Sequence, residues 1–511
     1  MKILKLQLDG YKQFENFETN FLNENSTSQS NYKFIIGENG KGKTSLLEAI
    51  ASIFSSTTID QLPGFNFYIE YVLNEKNSSK AAHIFLTNIN SKGEENNLKN
   101  KSSNEKISFG YVEGGVKQYM NDKYFSEYAH LHPKRIFTIA SSPNNIFEDI
   151  VVYTPYNELK TKAQKVVENE NLQSEPLIIH KMISDLLYNP KTINFNIDTY
   201  IYIFISLMFF DKTANGVKMM ESINKNNFKA QSYSIEFNDK ILNKYLSNTD
   251  SKSAAEQNFR ENLKKFIDCY SRSKVYRVGD EEADTSVYYF QKKPKGFKHL
   301  FKSLDVCILL SIAHRIGLIK SAKVYLKDNK SEHLLTNNIL SDGEWMWICK
   351  IGLMIISKEE VEGNFLYLFD EPDLFLNEKW IAKYIYSIKH YSEDDSSKLE
   401  SESTHEVIIT THSTLMLTDA LQDQVFILRN NPELKLKNIT FSPFGADRNH
   451  IASKLNFNDK NIGNYSNNII NDISKEKDSR KIDEVLQEVG FGFERFKLER
   501  LKLEIDDKEG D

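Results

Sequence analysis

The residues with the clearest chemical purpose form a glycine-rich run near the N-terminus. The run reads Gly37, Glu38, Asn39, Gly40, Lys41, Gly42, Lys43, Thr44 and Ser45. It fits the pattern G-x-x-x-x-G-K-[ST], in which glycines let backbone amides wrap a phosphate and the next helix adds partial positive charge. We expect Lys43 to reach the β- and γ-phosphates of ATP and Thr44 to bind Mg²⁺. The alternative, a chance glycine-rich turn, does not explain why a strand-like run precedes the pattern and a helix-like run follows it.

Two adjacent carboxylates follow a short apolar run in the second half of the chain. Asp370 and Glu371 come directly after residues 365–369, which are all apolar. Such a run, ending in acids, is typical of a buried parallel strand that brings polar groups to its carboxyl edge. We expect Asp370 to hold Mg²⁺ through water and Glu371 to act as general base toward an attacking water. Taken alone, the pattern also fits a strand that ends in a solvated acidic turn.

Two shorter motifs complete an ordered set. The stretch 340–344 (LSDGE) opens an apolar helix-like run, with Ser341 at the position of a helix N-cap, where free amides favour a phosphate. His412 directly follows the strand-like residues 407–411, and we interpret it as a contact to the γ-phosphate. Taken by itself, the stretch 340–344 also fits a plain helix cap, and His412 also fits a polar turn residue. We prefer the functional interpretation because the four motifs occur together and in order.

The elements that must position these residues follow from the spacing of apolar side chains. Leu4, Leu6 and Leu8 alternate with polar residues, which predicts a half-buried strand. Similar runs predict a β-meander beside the first strand and helix. The predicted strands are residues 4–8, 32–36, 65–73, 84–86, 107–111 and 136–140, and the predicted helix is 44–54.

We divide the chain into four segments. Residues 1–155 contain the glycine-rich loop and an antiparallel β-lobe, 156–302 read as a helical insertion, 303–450 carry the later motifs, and 451–511 form a C-terminal helical segment. The predicted fold class is therefore α/β.

Composition limits the possible classes of protein. The chain has 511 residues, a net charge of −6 and 40% hydrophobic residues, which fits a globular protein without a uniformly basic surface. Its three cysteines are far apart and form no metal-ligand spacing. The longest apolar stretch, 200–210, is shorter than the ~20 residues of a membrane helix and predicts a buried helix. We expect a cytoplasmic protein without membrane contact.

The motifs resemble those of the ABC superfamily, in the branch of RecF, SMC heads and the ATPases of antiphage defence systems. Residues 10–21 (GYKQFENFETNF) resemble the N-terminal strand pair of RecF and SMC heads. Residues 370–380 (DEPDLFLNEKW) and 444–449 (FGADRN) resemble the ATPases of OLD, Septu and retron systems. Asn377 and Glu378 depart from that pattern, which usually has His and Pro. Residues 136–143 (IFTIASSP) resemble the Q-loop strand of Septu-type ATPases, with Ser141 or Ser142 in place of the glutamine.

The resemblance implies an ABC-type P-loop ATPase head with ATP and Mg²⁺ as ligands. It implies a head-to-tail dimer or higher oligomer, in which Ser341, Gly343 and Glu344 complete the ATP site of another copy. It also implies a partner, either an effector nuclease of HNH type or, in a retron, a reverse transcriptase with its non-coding RNA. A DNA-maintenance ATPase of RecF or SMC kind, which binds DNA, and the ATPase of a PARIS-type system are the alternatives.

Two local features have alternatives of their own. The lysine-rich stretch 291–302 contains no acid, so it either contacts nucleic acid or a partner, or forms a solvated face. Phe14 either packs on adenine or belongs to the core.

Overall fold

The structure is a computed structural model that divides into two compact units, residues 1–446 and 447–511. It describes residues 1–21, 31–57, 62–73, 82–89, 103–120, 125–141, 147, 191–210, 215–223, 225, 227–247, 254–271, 285–290, 301–357, 363–392, 405–430, 433–455, 464–490 and 492–509.

Every strand of the described chain lies in the first unit, whereas helices occur in both units. The strands are β1 (Lys2–Asp9), β2 (Phe17–Asn20), β3 (Tyr32–Ile36), β4 (Asn66–Leu73), β5 (Ala82–Ile89), β6 (Ser103–Glu113), β7 (Val116–Tyr119), β8 (Arg135–Ala140), β9 (Thr192–Phe195), β10 (Phe228–Asn238), β11 (Thr285–Phe290), β12 (Ile319–Asp328), β13 (Leu334–Thr336), β14 (Phe365–Asp370), β15 (His405–Thr410), β16 (Val425–Asn430) and β17 (Leu434–Asn438). The helices are α1 (Lys43–Thr57), α2 (Tyr200–Phe209), α3 (Asn215–Ser222), α4 (Asp239–Ser247), α5 (Ala254–Ser271), α6 (Ser303–Arg315), α7 (Asp342–Ser357), α8 (Glu378–Ser392), α9 (Thr414–Leu417), α10 (Arg448–Leu455), α11 (Asn464–Glu476), α12 (Ser479–Glu488) and α13 (Phe493–Glu509).

A seven-stranded sheet forms the centre of the first unit. Its strand order is β17-β16-β3-β15-β14-β8-β9, and only the edge strand β17 runs antiparallel to its neighbour. The strands β3, β14 and β15 are almost entirely buried, as expected for a parallel sheet covered on both faces. The predicted strands 32–36, 365–369 and 407–411 are all present in it, the last as residues 405–410.

The predicted β-meander is an antiparallel sheet of six strands in the order β2-β1-β4-β5-β6-β7. Helix α1 packs into a single apolar core that both sheets share, with Leu46, Ile50 and Phe54 among its members. Phe14 lies in this core with no exposed surface and packs edge-on against Phe17, with 4.7 Å between the ring centroids. It is therefore a core aromatic residue.

The segment predicted as a helical insertion is more mixed in the structure. Its described part contains helices α2 to α5, and also β10 and β11, which pair with β12 and β13 in a four-stranded antiparallel sheet. Strand β10 buries Tyr233, Ile235 and Phe237, a period of two that the scattered charges around it obscure. Strand β9 joins the central sheet and the buried helix α2 packs against α6 and α7, so these elements belong to the core of the first unit.

The second unit is helical, as predicted for the C-terminal segment. Helices α11, α12 and α13 pack around a small core of Ile470, Ile482, Leu486 and Leu498. The mixed α/β class with an antiparallel sheet and C-terminal helices is confirmed. No helix in the described ranges is both long and apolar enough to cross a membrane. The four predicted segment boundaries stay predictions.

A buried ion pair joins the central seven-stranded sheet to the six-stranded antiparallel sheet. The Glu406 carboxylate on β15 contacts the Lys33 ammonium on β3 and accepts a hydrogen bond from the Ile3 amide on β1 at 2.8 Å. Glu406 has no exposed surface. Losing one partner of such a pair leaves an uncompensated charge in the core.

We expect Glu406→Gln to lower the free energy of unfolding by about 3 kcal/mol, because Lys33 then remains buried beside a neutral amide. Urea unfolding followed by circular dichroism measures this change. The control is Glu18→Gln, which removes a carboxylate paired with Lys5 at 2.7 Å on the surface and should lose less than about 1 kcal/mol. Equal losses in both variants would contradict the assigned role of the buried pair.

Candidate active site at the edge of the parallel sheet

The glycine-rich run forms the loop between β3 and α1, as predicted. Gly40 and Gly42 have φ values of +75° and +99°, which side chains other than glycine rarely allow. Lys43, the first residue of α1, is 5% exposed, and its ammonium donates to the carbonyls of Gly37 at 3.1 Å and Glu38 at 3.3 Å. The lysine is therefore folded back along the inside of the loop.

The remaining residues of the loop lie at its outer side. Glu38, Asn39 and Gly40 are exposed at the tip, and Lys41 pairs with Glu38 at 3.6 Å. Ser45 is half-buried in the first turn of α1. The Lys41 amide donates to the Glu38 carbonyl at 3.4 Å. The predicted nucleotide contacts of these residues stay predictions.

Asp370 meets Thr44 at the carboxyl end of β14. The Thr44 hydroxyl lies 3.0 Å from both carboxylate oxygens of Asp370, and the Thr410 hydroxyl donates to Asp370 Oδ1 at 2.6 Å. Burial raises the pKa of the Asp370 carboxyl, and the hydrogen bonds from Thr410 and Thr44 oppose this shift. The side chains thus form a compact set of oxygen atoms beside the loop.

This oxygen set fits Mg²⁺ bound together with a phosphate. Mg²⁺ prefers oxygen ligands and uses one or two carboxylates along with phosphate oxygens. Among the residues that the structure describes, no group of three or more His, Cys, Asp or Glu side chains is placed to hold a metal ion. Thr44 and Asp370 therefore fit an ion that arrives with its nucleotide.

The order of the strands explains why His412 reaches both motifs. Strand β15 lies between β3 and β14, with Thr410 opposite both Ile35 and Asp370. Two residues beyond Thr410, the His412 Nε2 atom lies 2.5 Å from Lys43 Nζ and 3.2 Å from a carboxylate oxygen of Glu371. The sheet thus brings together residues that are 369 positions apart in the chain.

A single proton decides which of its two neighbours His412 binds. The Nε2 atom accepts a hydrogen bond from the Lys43 ammonium only when it carries no proton, and it donates to Glu371 only when it does. A hydrogen bond from His412 lowers the pKa of Glu371, and the charge of Lys43 lowers it further. Burial lowers the pKa of Lys43. The negative charges of the nearby acids oppose this shift, and that of Glu371 has the largest effect. The three groups therefore form one electrostatic cluster.

Glu371 adopts a backbone conformation that few non-glycine residues use. Its φ is +47°, which costs about 1–3 kcal/mol and persists only where the surroundings hold it. Its amide donates to the Thr410 carbonyl at 3.1 Å and to the Thr410 hydroxyl at 3.0 Å. The Thr410 hydroxyl thus contacts both acidic residues, as acceptor from the Glu371 amide and as donor to the Asp370 carboxylate.

The motif at residues 340–344 forms the start of α7. Ser341 and Glu344 make a capping box: the Ser341 amide donates to the Glu344 carboxylate at 2.8 Å, and the Glu344 amide lies 3.4 Å from the Ser341 hydroxyl. A Cβ on Gly343 would lie 2.6 Å from the Phe375 carbonyl, in the loop after Glu371. Within the described part of the chain, these contacts do not lead to Lys43 or Asp370. The predicted nucleotide contacts of Ser341, Gly343 and Glu344 stay predictions.

Two residues of the site were missed by the sequence analysis. Thr410 is the last residue of β15 and follows the apolar residues 407–409, and Lys350 is the one charged residue in the apolar run 345–357. The Lys350 ammonium donates to the Ser141 hydroxyl at 2.6 Å and to the Pro372 carbonyl at 2.9 Å. Burial lowers its pKa to about 7, although Asp373 opposes the shift. A charged residue in an otherwise apolar run was the available signal for Lys350.

Two further predictions concern residues at the margin of the described chain. Of the serines proposed for the Q-loop position, Ser141 is fully buried against Lys350, and Ser142 lies outside the described residues. The lysine-rich stretch 291–302 also falls outside them, except for residues 301 and 302.

Comparison with known proteins gives solved structures only. The sequence matches no protein-family profile and none of the curated proteins compared with it. The SMC head domain of Pyrococcus furiosus bound to the C-terminal domain of ScpA has 14% identity and a TM-score of 0.33, covering 86% of this chain and 96% of the other. The SMC head domain of Thermotoga maritima has 12% identity and a TM-score of 0.31, covering 86% and 100%. The recombination mediator protein RecF has 12% identity and a TM-score of 0.32, covering 86% and 98%.

These likenesses do not assign a family or a function to the chain. The chemistry of the site therefore has to be argued from its own residues.

We expect Thr410→Val to weaken Mg²⁺-dependent ATP binding about 10-fold, because Asp370 loses the donor that orients it. Calorimetric titration with ATP at several Mg²⁺ concentrations measures this effect. The control is Thr19→Val, which removes another buried hydroxyl that donates to the Leu436 carbonyl at 3.3 Å. Wild-type ATP affinity in Thr410→Val at low Mg²⁺ would contradict the role of Thr410.

Proposed function

We propose that the chain is an ATPase that binds ATP with Mg²⁺ and hydrolyses it. One observation carries this proposal: Lys43, Thr44, Asp370, Glu371 and His412 come from separate parts of the chain and meet at one edge of the sheet. A mobile cation, oxygen ligands for Mg²⁺ and a carboxylate base are the parts that phosphoryl transfer to water requires.

The roles of the side chains follow from their chemistry. The glycine-rich loop and Lys43 bind the β- and γ-phosphates and offset their charge, and Thr44 and Asp370 hold Mg²⁺, which supplies further charge stabilisation when bound. Glu371 accepts a proton from water as the water oxygen bonds to the γ-phosphorus and the bond to the ADP oxygen breaks. The products are ADP and inorganic phosphate. His412 orients Glu371 and contacts the γ-phosphate.

We further propose that two copies bind ATP between them in a head-to-tail dimer. Ser341 is exposed at the start of α7, a helix of 16 residues whose free amides favour an anion. In this proposal Ser341, Gly343 and Glu344 contact the γ-phosphate held by the partner copy. Each site is then complete only in the dimer.

The biological role that we propose is regulation of a separate effector nuclease of HNH type in antiphage defence. The motif resemblance at residues 370–380 supports it, and the C-terminal unit is consistent with a docking module. Acids in that unit are paired with basic side chains: Asp483 on α12 contacts Lys502 on α13 at 2.5 Å, and Glu499 contacts Arg495 one turn away at 2.8 Å. Such pairing suits a protein surface better than a metal-dependent nuclease centre.

We expect Glu371→Gln to lower ATP turnover about 100-fold or more, because an amide does not accept the proton of the attacking water. Phosphate release measures turnover, and light scattering after gel filtration should show a larger species with ATP than without it. Lys43→Ala is the control, since it should lose ATP binding and therefore form no such species. Turnover at the wild-type rate in Glu371→Gln would rule out this residue as the base.

We expect the purified chain to leave plasmid DNA, linear DNA and RNA intact in Mg²⁺ or Mn²⁺ while it hydrolyses ATP. Gel electrophoresis of the nucleic acids alongside a phosphate-release assay tests both points in one sample. Nucleic-acid cleavage that persists in Lys43→Ala, but is lost when a carboxylate is changed, would overturn the need for a separate nuclease.

A further inference from the structure

Lys350 is a fully buried lysine that belongs to none of the four sequence motifs. It occupies the middle of α7, whose neighbouring residues Cys349 and Ile351 also have no exposed surface. A buried lysine is rare unless it is paired, because removing its charge from water is costly. An apolar side chain would fill this position in the helix at lower free energy, so the ammonium calls for a specific explanation.

The contacts of Lys350 join two loops on either side of the site. Its ammonium donates to the hydroxyl of Ser141, the residue after β8, and to the carbonyl of Pro372, the residue after Glu371. The Ser141 amide in turn donates to the Asp370 carbonyl at 3.2 Å. The single ammonium therefore connects α7 with the residue after β8 and with the residue after Glu371.

These contacts bear directly on the strained backbone of Glu371. Thr410 holds the amide side of this residue, and Lys350 holds the carbonyl of the residue that follows it. A positive φ at a non-glycine residue requires restraint on both sides, since the chain otherwise relaxes. The turn itself adds a second restraint on the carboxyl-terminal side, because the Leu374 amide donates to the Glu371 carbonyl at 3.0 Å.

We infer that Lys350 is a positioning residue that fixes the loop of Glu371 to helix α7 and thereby holds the base in its hydrolytic geometry. This inference rests on the proposed ATPase function and deepens it. It also makes α7 the element that links the exposed Ser341 end of the helix to the base. Lys350 acts on hydrolysis and not on nucleotide binding, because its contacts are to the two flanking loops and not to the glycine-rich loop.

The test is Lys350→Met, which keeps the length and apolar stem of the side chain and removes its charge and donors. We expect kcat for ATP to fall about 100-fold, the size of effect that a misplacement of about 1 Å produces, while the Kd for ATP stays within about 2-fold of wild type. Phosphate release gives kcat and calorimetry gives Kd. Glu406→Gln is the control, since it disturbs a buried charge four residues before Thr410 on β15 and should lose stability without loss of kcat.

A double-mutant cycle with Ser141→Ala separates positioning from a general loss of packing. Ser141→Ala removes one of the two acceptors and should lower kcat about 10-fold, and the double variant should be no slower than Lys350→Met, because both changes break the same link. If Lys350→Met does not fold, the kcat of Ser141→Ala alone tests the inference.

The outcomes distinguish this inference from the proposed function. Two results overturn the positioning role and leave the proposed ATPase function intact. One is a wild-type kcat in Lys350→Met or in Ser141→Ala. The other is a loss of ATP binding equal to the loss of kcat. A wild-type chain that hydrolyses no ATP overturns both.

Discussion

The parallel register of β3, β15 and β14 brings together the glycine-rich loop, the acidic pair and His412. Because the three strands run in the same direction and end at the same level, the residues that follow them meet at one edge of the sheet. The middle position of β15 is the important detail, since it inserts Thr410 and His412 between the lysine of one motif and the acids of the other. A change of strand order would separate these groups even if every motif were kept.

Burial at this edge turns ordinary polar contacts into strong constraints. Asp370 is 4% exposed, so its carboxylate depends on the hydroxyls of Thr44 and Thr410 in place of water. The same threonine hydroxyl accepts from the Glu371 amide, which couples the position of Glu371 to the position of Asp370. Lys43, His412 and Glu371 are also coupled, because the His412 ring contacts both the Lys43 ammonium and the Glu371 carboxylate. The site is therefore a network in which no group can move independently of the others.

Helix α7 makes two separate sets of contacts, one at its N-terminus and one near its middle. Its capping box pairs the Ser341 amide with the Glu344 carboxylate. The absence of a side chain on Gly343 lets the helix approach the backbone of Phe375. Two turns later, Lys350 reaches the loops that follow β8 and β14. One rigid helix thus contacts the segment after Glu371 at two separate points, near Phe375 and at Pro372.

The sequence by itself determined the local chemistry and the class of fold. Gly40 and Gly42, the apolar strands that end in Ile36 and Asp370, and the N-cap at Ser341 are local patterns, so their spacing was sufficient to predict them. The strand β10 was missed because charged neighbours hid its alternation, and its place in a sheet depends on pairing with the distant strand β12.

Only the tertiary structure decided which polar residues share a contact. The sequence pattern around Thr410 or Lys350 does not indicate which strands are neighbours in the sheet. The order of the strands and the packing of the helices determine which groups these side chains contact. The strand order brings Thr410 to Asp370 across 40 positions, and the packing of α7 brings Lys350 to Ser141 across 209. Contacts of this kind depend on the relative position of whole elements, which short-range spacing does not encode.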